Sequence, residues 1–129
     1  MIDPPENLRR ARDLIKTHYD EPLDVPALAR AAGQSPAHFS RAFRRAFGMT
    51  PHQCLIARRM ERAAVMLRTD DRPVADVCHS LGLRSVGSFT TAFGRTFGVS
   101  PAAYRAAHGR RATPRPPPAA SARPASSGS

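Results

Sequence analysis

The stretch SPAHFSRAFRRAFGMTP at positions 35–51 decides the fold, because SVGSFTTAFGRTFGVSP at positions 85–101 repeats it fifty residues later. Eight positions are identical at that offset: Ser35/Ser85, Phe39/Phe89, Ala42/Ala92, Phe43/Phe93, Arg45/Arg95, Phe47/Phe97, Gly48/Gly98 and Pro51/Pro101. An internal duplication of this kind indicates that the chain contains the same supersecondary unit twice.

The residues before each copy also correspond, at an offset of 49. Four apolar positions with helical spacing are followed by a glycine, which predicts a short helix and a turn before each copy. The pairs are Val25/Val74, Leu28/Val77, Ala29/Cys78, Ala32/Leu81 and Gly33/Gly82. A short helix, a turn that contains glycine and a second helix that starts at a capping serine are typical of a helix-turn-helix unit.

In the first copy, Phe39, Phe43 and Phe47 are four residues apart and share one helix face, which we assign to the core. The opposite face is polar and cationic, and the second helix of such a motif enters the major groove of DNA. Arg41 suits a bidentate pair with guanine, and Arg44 or Arg45 suits phosphates. The alternative to DNA contact is that this face is charged only because it faces solvent. The candidate DNA contacts on this helix are Ala37, His38, Ser40, Arg41, Arg44 and Arg45.

The second copy has smaller side chains on the corresponding face. Arg95 is the one cation there, with Arg84 just ahead of the helix. Val86 suits a thymine methyl group, and Thr90 or Thr91 suits a base or a phosphate. We therefore expect this unit to position the protein more than to discriminate bases. Its candidate DNA contacts are Arg84, Ser85, Val86, Gly87, Ser88, Thr90, Thr91 and Arg95.

The charge of the chain supports a polyanionic partner. Its 129 residues include 20 Lys or Arg and 10 Asp or Glu, a formal net charge of +10. All the acids lie between Asp3 and Asp76. After Val77, arginine is the only one of Asp, Glu, Lys and Arg that occurs. This asymmetry indicates nucleic acid first and an anionic membrane surface second. Membrane binding requires an exposed apolar stripe, whereas the apolar faces here are assigned to the core, so we expect double-stranded DNA as the partner and no membrane.

The rest of the chain is also helical in pattern, which predicts an all-α fold of about seven helices. We expect an N-terminal helix-turn-helix subdomain in residues 1–50, a linker helix in 51–69 and a C-terminal helix-turn-helix subdomain in 70–108. The first helix is expected to run from about Pro5 to Tyr19. Residues 109–129 are rich in Pro, Ala, Ser and Arg, which predicts a disordered basic tail. Its two interpretations are a nonspecific phosphate-binding arm and a trailing linker.

No pattern in the sequence indicates catalysis, a cofactor or a metal. Paired carboxylates on one face, a nucleophile beside a base and a phosphate-binding loop are all missing. Cys54 and Cys78 belong to no set with zinc-ligand spacing. The sequence also has neither a signal peptide nor the ~20 apolar residues of a membrane span. We therefore expect a protein that is not an enzyme, located in the cytoplasm and associated with the nucleoid.

Two stretches resemble the DNA-binding region of AraC/XylS-type transcription regulators. VADVCHSLGLRSVGSFTTAFGRTFGVSPAAYR at 74–105 has the three phenylalanines, the Ser-Pro and the Tyr-Arg of the family pattern. The linker helix, with Arg58-Arg59-Met60 and Ala63…Met66-Leu67, is similar to the family signature there. The departures are Leu83 for a usual Phe, Cys78 for Ala, Thr91 for a common Arg and Gly94 for Lys or Arg. The last two argue against strong base reading by the second copy.

The resemblance implies two recognition helices on one side of the DNA, in successive major-groove segments about 34 Å apart. It implies a monomer that reads an asymmetric site, an activator, contact with RNA polymerase, and a short stand-alone regulator. Two alternatives remain open. One is a nonspecific architectural DNA-binding protein, and the other is the DNA-binding fragment of a larger effector-responsive regulator.

Overall fold

The computed structural model describes residues 3–109, and over that range the chain forms seven α-helices and no strand. This confirms the all-α fold with two helix-turn-helix units. The helices are α1 (Glu6–Thr17), α2 (Val25–Ala31), α3 (Pro36–Phe47), α4 (Pro51–Thr69), α5 (Val74–Ser80), α6 (Val86–Phe97) and α7 (Pro101–His108). The expected disordered tail lies outside the described residues, except for Gly109, which ends α7.

Five helices begin at a side chain that accepts a hydrogen bond from the backbone amide three residues further on. The capping residues are Asp24, Ser35, Thr50, Ser85 and Ser100, with oxygen–nitrogen distances of 2.9, 3.3, 3.1, 3.1 and 3.1 Å. At Thr50 the side chain of Gln53 also accepts from the Thr50 amide, which completes a capping box. Each such cap stabilises its helix by about 1 kcal/mol, so the helix starts are encoded locally.

The first helix is shorter than the sequence pattern predicts. It ends at Thr17 rather than Tyr19, and the His18 amide makes the last helical hydrogen bond, to the Leu14 carbonyl oxygen at 2.7 Å. The backbone then turns, with the Glu21 amide donating to the His18 carbonyl oxygen at 3.0 Å. As a result Tyr19 leaves the helix axis and packs at the edge of both cores.

The helices enclose two clusters of buried apolar side chains. The first lies among α1, α2, α3 and the start of α4, and consists of Leu8, Ala11, Ile15, Leu28, Ala29, Ala32, Phe39, Phe43 and Leu55. The second lies among the remainder of α4, α5 and α6, and consists of Met60, Ala63, Ala64, Leu67, Val77, Cys78, Leu81, Phe89 and Phe93. Because α4 contributes to both clusters, the division of the chain at residues 50 and 69 stays a prediction.

The third phenylalanine of each copy departs from the expected core position. Phe39, Phe43, Phe89 and Phe93 are fully buried, but Phe47 is half-buried and Phe97 is 37% exposed. Both lie in the last turn of their helix. The Arg12 guanidinium covers the Phe47 ring at 4.4 Å, and the Tyr104 ring lies 5.4 Å from that of Phe97. These two rings therefore form the edge of the cores.

Candidate nucleic-acid interface

The outer face of α3 carries the cationic side chains singled out in the sequence. Burial of Phe39 and Phe43 fixes the rotation of the helix and turns its opposite face outward. Of the six candidate contacts, five are exposed and Ser40 is half-buried; the exposed residues are Ala37, His38, Arg41, Arg44 and Arg45. The helix thus presents three arginines to solvent on the side away from its core.

The outer face of α6 is set in the same way, by the burial of Phe89 and Phe93. All eight candidate contacts of this copy are exposed: Arg84, Ser85, Val86, Gly87, Ser88, Thr90, Thr91 and Arg95. The small side chains leave a shallow open groove lined by Gly87, Ser88, Thr91, Ala92 and Arg95. Compared with α3, this face offers a concave surface with one arginine at its end.

In the described part of the chain, the arginines of these two faces have no acidic partner, whereas four other arginines do. Within residues 3–109, no salt bridge involves Arg41, Arg44, Arg45, Arg84 or Arg95. By contrast Arg10 pairs with Glu6, Arg58 with Glu61, and both Arg72 and Arg105 with Asp70. The charges on the outer faces of α3 and α6 are therefore uncompensated, as a surface that binds a polyanion requires.

Three arginines of α4 make hydrogen bonds within the protein that the sequence analysis did not predict. Arg59 is 7% exposed, and its Nε and Nη2 donate to the carbonyl oxygens of Tyr19 and Glu21 at 2.7 and 3.0 Å. Burial lowers the pKa of Arg59, and the charge of Asp20 opposes that shift. Arg58 Nε donates to the Lys16 carbonyl oxygen, and Arg62 Nε to the Tyr19 hydroxyl. The signal available in the sequence was the position of these arginines in a helix that contributes side chains to both cores.

The Tyr-Arg pair that follows α6 also has internal partners. Arg68 Nη1 donates to the Tyr104 hydroxyl at 3.1 Å, and Arg105 Nε donates to the Leu67 carbonyl oxygen at 3.3 Å. The Tyr104 ring lies edge-on to Phe93 at 5.3 Å. These contacts hold α7 against α4, so Tyr104 and Arg105 shape the second unit from within.

Other kinds of site leave no trace in the part of the chain that the structure describes. There, no three His, Cys, Asp or Glu side chains lie where they could share a metal ion. None of the described helices combines the length and the apolar character that crossing a membrane takes. Cys54 and Cys78 are free thiols, and burial raises the pKa of each above its ordinary value. Both thiols are thus held protonated and unreactive near neutral pH.

Comparison with known proteins agrees with this architecture. A family model described as a helix-turn-helix domain matches residues 28–107. The regulatory protein SoxS of Salmonella typhimurium is 36% identical over 91 residues, which cover 70% of this chain and 85% of SoxS.

Two solved structures share the fold at higher coverage of this chain. The C-terminal domain of AraT, a response regulator from Geobacillus stearothermophilus, has a TM-score of 0.78 at 30% identity, covering 82% of this chain and 88% of that domain. The DNA-binding domain of AdpA, a global transcriptional factor solved in complex with a target DNA, has a TM-score of 0.75 at 39% identity, covering 82% and 93%. Together with the duplicated unit and its exposed arginines, these matches show that the chain belongs to the AraC/XylS family of DNA-binding transcription regulators, a class without enzymatic activity.

Proposed function

We propose that the chain is a sequence-specific regulator that inserts α3 and α6 into successive major-groove segments on one side of duplex DNA. The observation that carries this proposal is the pairing of two equivalent helices, each with one face in its own core and the opposite face exposed. The 19 residues of α4 between them span about 28 Å at 1.5 Å per residue. That length is comparable to the ~34 Å between successive major-groove segments.

The two helices are proposed to have different roles. In α3, Arg41 pairs with guanine O6 and N7, while Arg44 and Arg45 neutralise phosphates. In α6, Val86 contacts a thymine methyl group and Arg95 a phosphate. Because α6 has few long polar side chains, it positions the protein, and α3 supplies most of the base discrimination.

Selection of binding sites from random duplexes of about 30 base pairs tests this arrangement, since that length admits two groove segments ~34 Å apart. Two conserved blocks about one turn apart, without a palindrome, are expected. A single block would restrict base reading to α3. No enrichment would leave the architectural alternative, in which net charge alone drives binding.

The finer properties proposed for this regulator rest partly on the same arrangement and partly on analogy. We propose that it acts as a monomer, because one chain supplies two recognition helices and an asymmetric site needs no second copy. The subdomain boundaries at residues 50 and 69 are kept as part of this proposal. A cytoplasmic location at the nucleoid, and activation through contact with RNA polymerase, are proposed by analogy with regulators of this family. Sedimentation of the protein on its selected duplex tests the one-to-one stoichiometry.

Replacing Arg41 with alanine is expected to relax base preference at one or two positions of the site. The loss of a bidentate pair with guanine costs about 1–3 kcal/mol of discrimination. Selected-site competition, in which each position of the block is varied in turn, measures the effect. Arg44→Ala is the matched control, because loss of a phosphate contact weakens all sequences alike. An equal loss on every sequence in Arg41→Ala would contradict the role of Arg41.

Deletion of residues 110–129 is expected to weaken the salt dependence of DNA binding without changing the preferred site. The deleted segment contains four arginines. Each one that neutralises a phosphate contributes about −0.9 to the slope of log affinity against log salt, so the slope should fall in magnitude by up to about 3.6. A full-length variant with those arginines replaced by alanine controls for chain length. A changed site preference would contradict the interpretation as a nonspecific arm.

A further inference from the structure

The loop between α1 and α2 contacts both units of the fold. Tyr19 packs against the cluster of α1, α2 and α3 and also against that of α5 and α6. The next residues, Asp20 and Glu21, present backbone carbonyl oxygens toward α4 and the turn after α5. This loop therefore contacts the first unit, α4 and the second unit.

Arg59 fixes the loop to α4. Its buried guanidinium donates to two carbonyl oxygens, those of Tyr19 at 2.7 Å and Glu21 at 3.0 Å. A planar guanidinium with two directed bonds holds the loop in one orientation. The Tyr19 side chain is held as well, because Arg62 Nε lies 3.2 Å from its hydroxyl and the Arg58 guanidinium lies 5.6 Å from its ring centre. The loop of the first unit is thus anchored to α4 at several atoms.

Gly82 is the residue of the second unit that approaches the same loop closely. A Cβ atom at Gly82 would lie 2.6 Å from the Asp20 carbonyl oxygen, which is closer than Cβ atoms approach other atoms in proteins, and 3.3 Å from Arg59 Nη2, which is a tight contact. Gly33 occupies the matching position of the first unit, and a Cβ there would meet nothing within 4 Å. The close approach is therefore a contact between the units and not a requirement of the turn itself.

We propose that Tyr19, Asp20, Glu21, Arg59 and Gly82 form a clasp that fixes the angle between α3 and α6. The clasp adds a contact away from the axis of α4, so neither unit can rock about that helix. These are positioning residues: none lies on the outer face of α3 or α6, yet together they set the spacing at which the two helices meet DNA. That last consequence rests on the proposed function, in which both helices bind DNA.

The two glycines supply a matched pair of variants. Gly33 and Gly82 have φ values of +72° and +82°, so alanine introduces similar left-handed backbone strain at both. Only Gly82→Ala also collides with Asp20. Any effect found in Gly82→Ala and not in Gly33→Ala is therefore due to the contact between units.

Backbone residual dipolar couplings measure the angle without DNA. In the full-length wild type and in Gly33→Ala, the couplings of the two units are expected to fit one alignment tensor. In Gly82→Ala they are expected to require two tensors with different orientations or magnitudes. If Gly82→Ala does not fold, Arg59→Lys serves instead, because it keeps the charge and loses the planar guanidinium that bonds both carbonyl oxygens. A single shared tensor in the folded clasp variant would overturn the proposal.

Duplexes in which the two selected blocks are moved apart measure the consequence for recognition. Two linked modules gain about 10²–10⁴ in affinity only where the geometry admits both. Moving the blocks by half a turn, about 5 base pairs, should cost the wild type and Gly33→Ala about 100-fold, and the clasp variant less than about tenfold. Equal losses in all proteins would overturn the proposal. A wild type indifferent to spacing would contradict the proposed function instead, and the dipolar couplings would still decide on the clasp.

Discussion

Replacing Phe43 or Phe93 with alanine is expected to lower the free energy of unfolding by about 3–5 kcal/mol. Both rings are fully buried, each at the centre of one core. Phe43 has ring neighbours at 5.6 and 4.6 Å, and Phe93 has three at 4.6, 5.3 and 5.9 Å. The lost transfer energy and the cavity left behind both contribute to the cost. Urea denaturation followed by circular dichroism measures it.

The matched control for this prediction is Phe97→Ala. It removes a phenylalanine from the same stripe, but one that is 37% exposed. Because less apolar area is withdrawn from water at this position, the loss of stability should be well below that of Phe93→Ala. A Phe43→Ala or Phe93→Ala variant with wild-type stability and a selective loss of DNA binding would show that the phenylalanines act at the interface and not in the cores.

Binding of the full-length chain to DNA is expected to weaken at least about 40-fold between 50 and 200 mM salt. Three of the unpaired arginines on the outer faces of α3 and α6 are assigned to phosphates, namely Arg44, Arg45 and Arg95. Each neutralised phosphate contributes about −0.9 to the slope of log affinity against log salt, which gives a slope with a magnitude of at least about 2.7. Fluorescence anisotropy titrations at several salt concentrations measure it.

Single variants separate a distributed interface from simple attraction by net charge. Arg44→Ala should reduce the magnitude of the slope by about 0.9. Arg10→Ala removes the same charge from α1, where Arg10 pairs with Glu6 at 3.7 Å, and should leave the slope unchanged. An equal change in both variants would mean that the whole charge of the chain, rather than the faces of α3 and α6, determines binding.

Much of this fold was predictable because its signals are local. A serine or threonine that accepts from an amide three residues on, and a glycine that ends a helix, act within one turn of the chain. Periodicity likewise predicted which face of α3 is buried, since Phe39 and Phe43 lie one turn apart. The exposed face, with Arg41 and Arg44, then followed by geometry.

What the sequence did not reveal depends on contacts between distant residues. Arg41 and Arg59 are the same residue type in helices of similar polarity, but Arg59 bonds carbonyl oxygens 38 and 40 positions away. The end of α1 was not predicted because Tyr19 packs against the second core as well as the first. No local sequence pattern indicates that contact. Phe97 was assigned to the core by its spacing, although its ring lies in the last turn of α6 and is 37% exposed.

Because α4 contributes side chains to both cores, the two copies of the duplicated unit overlap along the chain. In its first turn α4 follows α3 as α7 follows α6, with buried prolines Pro51 and Pro101 at the matching positions. In its second half it packs on α5 and α6 as α1 packs on α2 and α3. Inserting one residue into α4 would rotate one copy against the other by about 100° and shift it by about 1.5 Å. Under the proposed function, single substitutions on the outer faces of α3 and α6 can gradually change which bases are read, whereas the spacing between the two groups of bases can change only in abrupt steps.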